Sequence, residues 1–110
     1  MPRDFSESDW KTLSHLKPLA LERLCQRIFQ KADSIIAHAK KGGHYDSYLD
    51  LYRHIQENEK VIGDCFNHWS RFHALDILIN LRSENLLTEE EFSAFSSDTR
   101  TIVDGFLKRV

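Results

Sequence analysis

Apolar residues recur along this chain at intervals of three and four, the spacing of a single helix face. Leu21, Leu24, Ile28, Ala32, Ile35 and Ala39 keep that interval, and Cys25, Phe29 and Ile36 widen the face. Arg23, Gln26, Arg27, Gln30, Lys31 and Asp33 fill the opposite side. The pattern predicts an amphipathic helix of about five to six turns, opened by Pro18 at a position where a missing N–H is harmless. Lys40 and Lys41 suit its negative C-terminal end, and Gly42-Gly43 supplies the stop. A shorter helix is predicted before it. Ser6 is the N-cap, Phe5 and Trp10 have the spacing of a hydrophobic staple, and Asp9 stands where a carboxylate can reach back. Lys17 precedes Pro18 and is pushed out of the helical region, so this first helix should end by Leu16.

Beyond the glycine pair, Tyr45, Tyr48, Leu49, Tyr52, Ile55, Ile62 and Phe66 share one side of a third helix running from about Tyr45 to Phe66. Glu59 interrupts the stripe, and Gly63 weakens the helix by about 1 kcal/mol relative to alanine. Asn67-His68-Trp69-Ser70 reads as a break, with Asn67 or Ser70 capping a fourth helix from Arg71 to Glu84. That segment is apolar nearly all round, which marks a helix surrounded by others. Thr88 and Glu91 form a capping box, with Leu87 and Phe92 as its staple. Ser97 or Asp98 then caps a last helix carrying Ile102, Val103, Phe106, Leu107 and Val110. No stretch alternates long enough for a sheet. The predicted fold is all-α: one domain over residues 1–110, a compact bundle of five or six helices with two long antiparallel helices and a buried central helix.

Composition narrows the function classes. With 110 residues, 41% of them apolar and 29% charged, the chain is globular in composition and large enough to fold without a disulfide or metal staple. A net charge of -2 gives no bulk attraction to nucleic acid or anionic membranes. Cys25 and Cys65 read as free thiols in a reducing compartment, and no signal peptide or spanning segment is visible, so cytoplasmic residence is expected.

Candidate chemistry is sparse. Cys65, His68 and His73 carry ligand types that zinc prefers and stand close together across the break, beside Asp64. Their spacing is neither a C-x2-C pair nor H-E-x-x-H, so a buried free Cys65, a surface His68 and a helix-face His73 are the preferred reading over a metal site. Asp50 and His54 are four apart and can touch on a helix. No nucleophile elbow, phosphate-cradling glycine loop or cofactor motif is present, so neither a catalytic residue nor a cofactor is expected. Arg23, Arg27 and Lys31 make a basic ridge that reads as a solvated face. Leu86 to Phe92 resembles the leucine, Thr-Glu-Glu-Phe phrase of short C-terminal oligomerisation modules; capping chemistry explains it fully, and no function follows from it.

Aromatic and cationic residues are the remaining signal. Tyr48, Tyr52 and Arg53 on the third helix, with Trp69 and Arg71 at the break, are of the types enriched in binding hot spots. At this spacing the tyrosines are nonetheless read first as packing their rings into a core with hydroxyls at its rim. The favoured expectation is a non-enzymatic helical interaction or regulatory domain that self-associates or docks on another protein, with no nucleic acid or membrane partner. The alternative is a small-ligand or metal-binding protein with its site at the junction of the third and fourth helices.

Overall fold

The computed structural model describes residues 5–108. Among them the order is α1 (Glu7–Ala39), α2 (His44–Ile62), a π turn (Gly63–Asn67), a 3-10 turn (Arg71–His73), α3 (Ala74–Ser83), α4 (Glu89–Ser93) and α5 (Ser97–Leu107), with no strand. Val110, expected on the last helix, lies outside the described residues.

The first two expected helices are one. Ser6 caps α1 as predicted, its side chain accepting from Asp9 N at 3.0 Å, but the helix continues through Pro18. Proline inside a helix removes one backbone bond and costs about 3 kcal/mol. Here it sits on an exposed position, while Leu13, Leu16, Ala20 and Leu24 run as one buried stripe past it. Breaking the helix at Leu16 would take half of that stripe out of the core, at roughly 1.5–3 kcal/mol for each large apolar side chain. Burial outweighs the local preference.

Residues from both ends of the sequence meet in the core. Phe5, Leu13, Leu16, Ala20 and Leu24 pack with Cys65, Phe66, Ala74, Ile77, Leu78, Leu81, Leu86, Leu87, Phe92, Phe95 and Val103. α3 contributes four of these, Ala74, Ile77, Leu78 and Leu81. It ends in a Schellman turn: Leu86 N donates to Leu81 O, and Asn85 takes the left-handed conformation at φ 58°. The Thr88–Glu91 capping box forms with both reciprocal bonds. The cap of α5 is Ser96, one residue before the expected Ser97.

The expected third helix ends earlier than its pattern suggests. From Gly63 the chain makes a single wide turn of the π type. This turn buries Cys65 and Phe66 and leaves Asp64 O to accept from Asn80 Nδ2 at 3.1 Å. Ser70 then caps the 3-10 turn, accepting from His73 N.

Two regions differ sharply in burial. The head comprises the first half of α1 together with everything from Val61 onward and holds the whole apolar core. The arm comprises α1 from Cys25 and α2 up to Lys60, joined by a turn at Gly42 and Gly43, whose φ values of 112° and 69° suit glycine. Ser47 is its one buried residue. The arm makes the molecule long, 53 × 26 × 24 Å.

Candidate interaction surface

The arm is held along one seam. Ala32, Ile35 and Ala39 of α1 and Leu51 and His54 of α2 are half-buried there around the buried Ser47. His54 Nε2 lies 2.9 Å from Ile28 O, and its Nδ1 lies 3.1 Å from Asn58 Nδ2. The imidazole therefore cross-links the two helices. The Asp50–His54 contact allowed by their spacing is not made; Asp50 pairs with Arg53 at 3.4 Å.

Flanking the seam on one side is a groove of about 380 Å³ lined by Lys31, Ile35, Asp50, Arg53, His54 and Glu57. Two positions along a helix amount to about 200° of rotation, half a turn. Phe29 is two from Lys31, Tyr48 and Tyr52 are each two from Asp50, and Ile55 is two from Arg53 and from Glu57. All four fall on the side opposite the charged groove. Ile36 joins them, since it is seven residues, or about two turns, from Phe29. One side of the arm is charged; the other is mostly apolar, with Asp33 as its carboxylate between Phe29 and Ile36.

The apolar side is solvated. Exposure is 69% at Phe29, 47% at Ile36, 61% at Tyr48, 50% at Tyr52 and 53% at Ile55, with Tyr45 beside them at 71%. The three tyrosine rings stack in a row, at 6.5 Å from Tyr45 to Tyr48 and 6.4 Å from Tyr48 to Tyr52, the second pair only 4° from parallel. The core-packing role read first for these tyrosines is not the one they take, since all three are at least half exposed. Nothing in the sequence distinguished the two, because stripe spacing is identical for a face that meets the core and a face that meets water.

Trp69 and Arg71 stand elsewhere, on the head. Trp69 stacks against Phe66 and tilts onto Trp10 at 5.9 Å, with Lys17 Nζ 4.6 Å from its ring. Arg71 Nε donates to Phe5 O at 2.8 Å. These two close the entry to α1 and do not join the tyrosine row.

Around the break, Cys65 is buried, and burial pushes its thiol up to about 11. His68 and His73 are exposed, their rings 6.4 Å apart. No group of three or more metal-ligating side chains is placed to hold an ion among the described residues. An open groove of about 490 Å³ on the head, lined by Lys11, Thr12, His15, Leu16, Glu91 and Ala94, gathers a single imidazole and one carboxylate.

The basic ridge is dismantled by acids that lie far off in sequence. Arg23 forks onto Glu91 at 2.6 and 2.8 Å and donates to Leu86 O. Those bonds hold the Glu91 carboxyl down to about 2. Arg27 reaches Glu84 through its carboxylate and its carbonyl. Both arginines clasp α1 to the segment after α3, and of the three only Lys31 takes no part in that clasp.

No known protein family, curated protein or solved structure matches the chain. Among the described residues, no helix is long and apolar enough to cross a membrane.

Proposed function

We propose that this chain is one helical interaction domain, with α1 and α2 as the antiparallel limbs of a hairpin whose apolar side docks on protein. The observation that carries this reading is the solvated row of stacked tyrosines with Phe29, Ile36 and Ile55 beside it. A contiguous apolar patch on a soluble surface is costly to leave in water and marks interaction sites. Tyrosine supplies large, rigid contact area with little entropy to lose on binding.

The test is the double variant Tyr48→Ala/Tyr52→Ala. Because both rings are solvated, the thermal midpoint should stay within about 3 °C of the parent, the scale of a surface change. Association with self or a purified partner, read by sedimentation, should weaken by at least about tenfold, as truncating hot-spot aromatics does. Collapse of the midpoint would make the tyrosines structural, and unchanged association would place docking elsewhere.

A further inference from the structure

We infer that the occupant of the arm's apolar side is a second copy of this chain, seated across a two-fold axis so that the two arms lie antiparallel, tip against root. This rests on the reading of that face as a docking surface.

Charge along the face argues for it. On α1 the stripe at this angle runs Glu22, Phe29, Ile36, Lys40, and on α2 it runs Glu59, Ile55, Tyr52, Tyr48, with Lys41 following at the turn. Each stripe is acidic at the root of the arm and basic at the tip; the middle is apolar on α2 and holds Asp33 between Phe29 and Ile36 on α1. Glu22, Glu59, Lys40 and Lys41 are all exposed, and none takes part in an ion pair among the described residues. A surface with opposite charges at its two ends complements itself when turned end for end, as an isologous two-fold interface requires.

Register agrees. His54 beside Ile28 sets the two helices so that Lys31 and Leu51 lie level. Lys31 is midway between Glu22 and Lys40, and Leu51 lies at the middle of the span from Tyr48 to Ile55. One axis across the arm at that level therefore sets Glu22 against Lys40 of the second copy. It also sets Tyr48 against its Ile55, with the two Tyr52 rings adjacent at the centre. Asp33 stands to Phe29 and Ile36 as Tyr52 stands to Tyr48 and Ile55, so one carboxylate lies near the middle of the α1 stripe, opposite Phe29 of the second copy.

Size agrees as well. Two helices side by side, each about 10 Å wide and about 25 Å long over the arm, present roughly 500 Å². Two copies would bury about 1,000 Å² between them, the level at which specific association begins.

Sedimentation of the full chain at concentrations up to roughly 0.5 mM tests this, since any dimer tighter than that Kd is then populated. The expected result is a dimer that Ile36→Glu dissociates. Reversing the tip, Lys40→Glu/Lys41→Glu, should weaken it about tenfold, and so should reversing the root, Glu22→Lys/Glu59→Lys. The chain carrying all four reversals is complementary again and should regain the parent affinity. All these positions are solvated, and a matched thermal melt confirms that each variant folds. A parent that stays monomeric throughout overturns the second copy as occupant and leaves the docking reading standing. A dimer indifferent to Ile36→Glu overturns both. A dimer lost with Ile36→Glu but not rescued by the fourfold reversal overturns the antiparallel seating.

Discussion

Asp9 is 2% exposed and accepts from Ser96 N at 2.8 Å, Ser96 Oγ at 2.7 Å and Thr99 Oγ1 at 2.7 Å. Burial alone would raise its carboxyl; the hydrogen bonds from Ser96 and Thr99, with Ser6, outweigh it and leave the group below its ordinary value. It ties the first turn of α1 to the first turn of α5. Asp9→Asn removes a charged acceptor and aims an amide donor among donors, so urea unfolding should show a loss of about 2 kcal/mol. Glu91 acts in the same direction on pH. Its folded value near 2 lies below the ordinary 4.5, so its contribution is complete above the ordinary value and is lost as pH falls through the folded one. The urea midpoint should therefore drop steeply between about pH 4.5 and pH 2. In Glu91→Gln that drop should flatten; an identical pH profile would show that the Arg23 clasp contributes nothing.

At the scale of elements, caps followed local chemistry and helix lengths did not. Ser6, Ser70 and Thr88 cap where their side chains predict, since the bond each makes spans three residues. Ser96 takes the place expected of Ser97 or Asp98, and its hydroxyl also serves Asp9, a partner in a distant segment. Pro18 shows the reverse balance, a local breaker overruled by a buried stripe. Pro18→Ala restores the backbone donor to a helix that exists regardless, and should raise unfolding stability by about 2 kcal/mol. A loss of stability would mean that the proline's fixed φ is needed in place.

At the scale of the molecule, stability is unevenly distributed. The apolar core lies in the head, while the arm is held by one seam of half-buried residues. Segments with few buried apolar contacts open locally at lower free energy than the core. Amide hydrogen exchange should therefore be fast from about Asp33 to Tyr52 and slow in α3. Protection of the arm that grows with protein concentration would report its occupation by a second copy; equal protection in arm and head in dilute solution would contradict this division of stability.

Much of the fold was legible from one sequence. Helical class, the absence of sheet among the described residues, the Thr88–Glu91 box and the Gly42-Gly43 turn rest on periodicity, capping and backbone sterics, which act over a few residues. The candidate surface was legible only in part. The tyrosine stripe was visible, yet whether a stripe is covered depends on what the rest of the chain brings to it. In this chain the later helices gather on the first half of α1 and, beyond Arg27 and Ile28, leave the second half to α2. The same dependence on distant partners turned Arg23 and Arg27 from a basic ridge into clasps. It also made Asp9 a buried tie, and separated Trp69 and Arg71 from the tyrosines they were grouped with. Local chemistry determined which segments are helices and where most begin; only tertiary packing decided which faces are buried, because burial is a property of residue pairs far apart in the chain.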